Sequence, residues 1–442
     1  MNTLEWSRGL TEMTLAFHIL FATVGVGIPI FISIAELMGI RKKDPHYTLM
    51  ARRWTRGFVI TVAVGVVTGT CIGLQLSLLW PEFMRLAGNV ISLPLFLETF
   101  AFFFEAIFLG IYLYTWNRFK NPYLHWLLTI PIVIGSSASA LFITMVNAFM
   151  NTPQGFTVDN GNFLHIDPME AMFNPAMPSK VAHVLSSAYL TAAFLLAMLA
   201  AFSMLRGRKN VYYKKSIRLN MITGLILAVA TIWIGDGSAK FLAKVQPEKL
   251  AAAEWHFETG NRVSLIVGGH LNPDTLEVTG AIEIPWGLSF LATGDPNGTV
   301  VGLNDFPRSE WPPLYVHYLF DSMVGIGFYL LAIPVLFLTI NKIKRWNAYN
   351  RWLLTGIVAG GPLSLLAIEL GWFYAEVGRQ PWIIRGYMKV SDAVTTNPNV
   401  GVTFWLFAAL YALLGVICLF VLGRLFRNKP AEMELEERRI IL

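Results

Sequence analysis

Two pairs of glutamates in this chain repeat a spacing of seven: Glu98 and Glu105 in LPLFLETFAFFFEAIFLGIYLY, and Glu369 and Glu376 in AIELGWFYAEVGRQPW. Seven residues is close to two helical turns, so each pair projects from one face of an apolar helix. Unpaired carboxyls in apolar surroundings suit a proton path, and a structural hydrogen-bond pair is the alternative. Arg379 follows Glu376 closely enough for a plain ion pair. Three residues add a second chemistry: His18 in TLAFHILFATVGVG, His183 in SKVAHVLSSAYL and Met323 in PPLYVHYLFDSMVGIG. An imidazole with a thioether is the axial pair of many low-spin haems and raises the reduction potential. On residue types alone this signal is weak, because the chain has 16 methionines and His317 competes within the same segment. A polar run, Ser136, Ser137, Ser139, Thr144 and Asn147, could hold water or pack small against a neighbouring helix.

The segments that carry these residues are membrane helices. Of 442 residues 55% are hydrophobic and only 14% charged, with mean hydropathy +0.54, far from a soluble domain of this size. About 20 apolar residues span a hydrocarbon core of roughly 30 Å. Nine such runs lie near 14–40, 57–80, 94–115, 123–149, 182–205, 218–235, 314–340, 352–374 and 402–423. The expected fold class is an all-α polytopic membrane protein of nine transmembrane helices. Residues 1–237 hold spans one to six, 238–312 a long outer loop, 313–427 spans seven to nine and 428–442 a cytoplasmic tail. The start MNTLEWSRGL lacks a cleavable-signal pattern, so the first helix is expected to stay as an anchor. Cys71 and Cys418 lie inside apolar runs and read as small packing residues.

Basic residues set the orientation. Arg41, Lys42, Lys43, Arg52, Arg53 and Arg56 follow the first run, Arg118 and Lys120 the third, and Arg206, Arg208, Lys209, Lys214 and Lys215 the fifth. Lys342, Lys344, Arg345 and Arg351 follow the seventh, and Arg424, Arg427 and Lys429 end the ninth. These loops face the cytoplasm by the positive-inside rule, which puts the N-terminus outside and the C-terminus inside. Topology accounts for the net charge of +6, and nucleic acid is not an expected partner. In this topology His18, Glu98, His183, Met323 and Glu376 fall in the outer half of the bilayer, at one depth below the long loop. A channel would spread polar groups along its length; a cluster at one depth suits a redox site fed from outside. The loop itself, with a short amphipathic helix expected from Lys244 to Phe257 and turn-rich GGHLNPD and TGDPNGT, is long enough to be functional.

Several long strings, RRWTRGFVITVAVGVVTGTCIGLQLSLLWPEFM, ETFAFFFEAIFLGIYLY, ITMVNAFMNTPQGF, QPEKLAAAEWHFET and GWFYAEVGRQPW, closely resemble subunit I of the cytochrome bd-type quinol oxidases, through essentially all nine spans. The resemblance implies a respiratory terminal oxidase of the prokaryotic cell membrane, which takes electrons from membrane quinol and reduces dioxygen to water without a copper site. It implies three cofactors: a low-spin haem b, a high-spin haem b and haem d. By family correspondence His183 and Met323 are the low-spin axial pair. His18 and Glu376 are axial ligands of the two high-spin haems, without assignment of each to one haem, and Arg379 and Trp382 lie in the haem surroundings. Glu98 and Glu105 deliver protons or ligate near the oxygen site. The loop is of the short quinol-binding type, with Lys249 and Glu254 in quinol oxidation. The resemblance also implies a homologous large subunit II and a single-helix small subunit in the lipid bilayer. One departure stands out: where well-known members carry arginine two residues before the haem-ligating methionine, this chain has Asp321.

The expected mechanism is quinol oxidation at the outer face with protons released there, and oxygen reduction with cytoplasmic protons ending at Glu105 and Glu98, which generates membrane potential without a pump. Two rivals fit nine spans with buried acids: a secondary transporter, and a haem electron-transfer subunit without oxygen chemistry.

Overall fold

The computed structural model describes residues 2–343 and 347–440; Lys344 and Arg345, counted above among the cytoplasmic basic residues, lie outside the described residues. Among these residues nine helices are long and apolar enough to cross a membrane: Thr3–Lys42, Pro45–Leu79, Pro81–Tyr114, Pro122–Asn151, Met177–Leu205, Val211–Val245, Val316–Lys342, Arg351–Val377 and Val400–Asn428. Their starts are marked in the sequence. Asn2 and Glu5 form a capping box, and Asp44, Asn210 and Asn350 cap the second, sixth and eighth spans through their side chains. Each cap satisfies backbone N–H groups that the first helical turn leaves without partners.

Spans one to four pack as one four-helix group and spans five to eight as a second, while the ninth leans on the first two from outside. The fifth span is the hub: 61% of its apolar window is buried, against 11% for the ninth. Alanines make the hub possible, since Ala188, Ala192, Ala193, Ala197, Ala200 and Ala201 are all buried. Small side chains let backbones approach where hydrophobic burial gives no driving force between helices in lipid. Gly27 of the first span shows the closeness, for a Cβ there would stand 2.6 Å from both Ala188 O and Ala192 Cβ.

Two ends of the bundle are distinct. At one, the segments after the fourth, sixth and eighth spans meet: Gln246 Nε2 donates to Asn151 Oδ1 (3.2 Å), and Arg385 grips Glu248 through Nε (2.7 Å) and Nη2 (3.0 Å). At the other, Lys215 pairs with Asp44, and a tail helix, Ala431–Glu437, sets buried Glu434 against Arg53 and Arg56.

The sixth span departs from expectation by running on to Val245. Asp236 and Lys240 form an (i, i+4) ion pair that carries the helix past its apolar stretch. The expected helix from Lys244 to Phe257 is instead broken at Gln246 and restarts as Pro247–Ala253, proline occupying the first turn where its missing N–H is harmless. Beyond it the long loop is folded. Antiparallel pairs join Gly260–Asn261 to Thr299–Val300, Leu265–Val267 to Ile282–Ile284, and His270–Leu271 to Val278–Thr279, with a helix at Gly287–Thr293.

Candidate functional site

The short helix Pro247–Ala253 lies against the end of the eighth span. It buries Lys249, whose Nζ donates to Ala375 O at 2.9 Å and stands 5.0 Å from the Tyr374 ring centroid. Burial holds the Lys249 amine down to about 7, opposed by the nearby Glu376 carboxylate. Five residues on, Glu254 caps the same helix, is 1% exposed, and both its carboxylate oxygens are buried without a partner among the described residues. Burial, aided by the charge of Asp321, pushes its carboxyl well above the usual range. An amine near neutrality and a carboxyl ready to take a proton therefore sit on one short helix.

Next to Lys249, the Glu376 carboxylate is held on both oxygens. Asn147 Nδ2 donates to Oε1, and Arg379 Nη2 donates to Oε2 at 2.5 Å. Lys180 Nζ donates to Asn147 Oδ1 at 2.8 Å and so joins the network from the fifth span. A carboxylate has about four acceptor positions, and 26% of the Glu376 side chain is uncovered, so acceptor capacity remains. Arg379 is buried and also donates to Ile383 O, while Trp382, in the strand Trp382–Ile384, carries the Lys389 ammonium 5.5 Å from its ring. Lys180 escaped the sequence reading; its placement one turn before His183 was the only available sign.

Haem is the group the sequence implies here, and the candidate ligands fit it. His183 Nδ1 is buried without a partner among the described residues, and the ring lies against Gly235 of the sixth span. A Cβ on Gly371 would stand 3.1 Å from Met323 Sδ, so glycine leaves that sulfur its place between the seventh and eighth spans. His18 Nδ1 lies 2.9 Å from Thr68 Oγ1, which orients the ring and leaves Nε2 as the nitrogen that could meet a haem iron. His317, the competitor to Met323, has neither nitrogen to spare: Nδ1 faces Ala253 O at 2.7 Å and Nε2 faces Gly268 O at 3.1 Å. It pins the loop to the seventh span under a stacked Trp255 ring, 3.9 Å between centroids. Asp321 serves the same joint, accepting from Gly268 N at 2.6 Å.

The acid stripe of the third span faces the fourth. Ser139 Oγ donates to Glu98 Oε1 at 2.8 Å, and Glu105 packs on Gly135, with Oε1 buried and unpartnered among the described residues. Ser139 and Asn147 stand eight residues apart on one helix, about 12 Å of rise. The candidates thus spread over roughly two turns of depth rather than sharing one level, Glu376 nearest the loop and Glu98 deeper.

The family model for cytochrome bd terminal oxidase subunit I matches residues 6–430. The chain belongs to that family. A putative cytochrome bd menaquinol oxidase subunit I of Bacillus subtilis (strain 168) is 43% identical over 98% of this chain and 99% of its own length. The cytochrome bd-II ubiquinol oxidase subunit 1 of Escherichia coli (strain K12) is 26% identical over 99% and 98%. The solved bd oxidase of Geobacillus thermodenitrificans superposes with a TM-score of 0.94 at 59% identity, covering 97% of this chain and 99% of that one. The protein is a multi-pass membrane subunit of a haem-bearing terminal oxidase of the respiratory chain, acting with a second subunit on dioxygen.

Proposed function

We propose that this chain is the catalytic subunit of a quinol oxidase that oxidises membrane quinol at Lys249 and Glu254 on the outer face and reduces dioxygen to water with protons supplied from the opposite face through Glu105 and Glu98. The observation that carries this reading is the seating of Lys249 on Ala375 O, one residue from Glu376, beside the unpartnered Glu254. Quinol oxidation needs an acceptor for the phenolic proton and a cation to steady the oxygen. In this reading Glu254 takes the first role and Lys249 the second.

His183 and Met323 would hold a low-spin haem b, with His18 and Glu376 ligating a high-spin haem b and a haem d. When bound, these groups carry single electrons and offer dioxygen an iron to bind. The protein's own part is binding, orientation and proton traffic. Arg379 and Trp382 would lie beside the haem, and Lys180, through Asn147, fixes the Glu376 carboxylate. The basic loops face the cytoplasm, so protons consumed at the site cross most of the bilayer and turnover builds membrane potential without a pump.

The test is quinol-dependent oxygen uptake by the purified complex. Lys249→Ala and Glu254→Gln each lower uptake by about 10²-fold or more, the usual weight of a general acid–base group, with the haem spectrum unchanged. Wild-type uptake in both variants would remove the quinol site from this helix.

A further inference from the structure

At the loop-bearing end of the eighth span the Tyr374 hydroxyl is buried and, like both carboxylate oxygens of Glu254, has no partner among the described residues. Tyr374 is 8% exposed and belongs to one apolar cluster with Ala251, Ala252 and Ala253, the last turn of the short helix that Glu254 caps. Glu254 is near enough for its charge to act on Tyr374. Phenylalanine would fill this apolar cluster equally well, so packing does not account for the hydroxyl. A polar atom buried without a partner is costly and calls for a use. A hydroxyl that can donate and a carboxylate that can accept are together the set that a bound phenol satisfies, since its O–H donates to one and its oxygen accepts from the other.

The ring itself is held on two sides. Lys249 Nζ stands 5.0 Å from its centroid, and the Lys249 stem runs over Gly378, where a Cβ would come within 2.7 Å of Lys249 Cε. Phe320 of the seventh span lies 5.3 Å away between centroids. A cation over an aromatic face is attracted by its electron density, and by drawing on that density it makes the phenol O–H a better donor. Phe320 precedes Met323 by three residues, and Gly371, against which Met323 Sδ sits, precedes Tyr374 by three. Tyr374 therefore lies one helical turn from the Met323 contact, on the side toward the loop that carries Glu254.

We propose that Tyr374 is a quinol-binding residue, its hydroxyl donating to the same phenolic oxygen whose proton Glu254 accepts. The proposal rests on the reading of Lys249 and Glu254 as the quinol site. Tyr374 keeps its own proton throughout. As the quinol O–H bond breaks and the Glu254 O–H bond forms, negative charge gathers on the phenolic oxygen, and the hydrogen bond from Tyr374 strengthens. Lys249 steadies that oxygen in part through the ring it covers.

The experiment sets Tyr374→Phe beside Glu254→Gln in the assembled oxidase, using the short-chain menaquinol or ubiquinol that the wild type oxidises. Tyr374→Phe is expected to assemble with the wild-type haem spectrum and to lower kcat/KM for quinol about tenfold or more, the weight of one hydrogen bond to a charged oxygen. Its unfolding temperature without quinone is unchanged or higher, because the hydroxyl has no partner to lose. The rise in that temperature on adding the matching quinone is smaller than in the wild type. A purely structural hydroxyl would give the opposite pair of thermal results. A kcat/KM within twofold of wild type in Tyr374→Phe, with Glu254→Gln still slow, overturns the role of Tyr374 and leaves the quinol site in place. Undiminished uptake in Glu254→Gln overturns that site as well. A shifted low-spin haem band in Tyr374→Phe would assign the hydroxyl to the haem, and failure to assemble would make it structural; either result contradicts the proposal.

Discussion

Glu254 is the residue whose behaviour the geometry constrains most. Its carboxyl is pushed up first by burial and then by the charge of Asp321. In its proposed role as acceptor of a quinol proton it must be ionised, so kcat/KM for quinol is expected to rise with pH through its elevated range and to be lost as pH falls below it. Removing the Asp321 charge removes an upward push. Asp321→Asn is therefore expected to slide the acid limb to lower pH, measured as the midpoint of the pH–rate profile; an unmoved midpoint would contradict the assigned cause. At this scale much was legible. Glutamates at a spacing of seven, and GWFYAEVGRQPW, mark the candidate acids in the sequence itself. The hydrogen-bond roles were legible only in part: the i,i+4 spacing allows the contact between His317 Nε2 and Asp321 Oδ2 (3.2 Å), but nothing in PPLYVHYLFDSM tells that the two also meet the carbonyl and amide of Gly268, which lies some 50 residues away in sequence.

Among elements, the helices followed from hydropathy and the ends did not. The sixth span outran its apolar stretch through one ion pair, and the chain broke at Gln246 where a continuous amphipathic helix was expected. The loop's short strand pairs were equally hidden, since pairs of two or three residues leave no periodic pattern to read. The tail helix Ala431–Glu437 gives a testable energetic statement. Arg53 and Glu434 are 7% and 4% exposed and paired, with Arg56 as a second cation. Glu434→Gln leaves Arg53 buried without its counter-charge, a loss of roughly 3–5 kcal/mol for breaking a buried pair. Thermal denaturation of the solubilised complex is expected to shift to lower temperature by several degrees, with quinol affinity unchanged. An unchanged transition would show that the tail does not hold the ends of the second and ninth spans.

For the whole molecule, two four-helix groups meet along the alanine-rich fifth span, and the candidate quinol site lies where their loop-bearing ends converge. Orientation rests on charge alone: the end that gathers Lys42, Arg52, Arg206 and Arg208 is expected in the cytoplasm. A membrane-impermeant thiol reagent added to intact cells is expected to label Thr275→Cys in the long loop and spare Lys209→Cys, in a Cys71→Ser, Cys418→Ser background; the reverse pattern would invert the topology and the direction of proton uptake. The most direct check of the haem and quinol reading is one visible difference spectrum, reduced with quinol minus oxidised, on purified complex carrying Met323→Leu. The proposed ligation predicts that the low-spin b band is lost or shifted while the high-spin b and d bands, assigned in that proposal to His18 and Glu376, remain. A low-spin band identical to that of the wild type would contradict it.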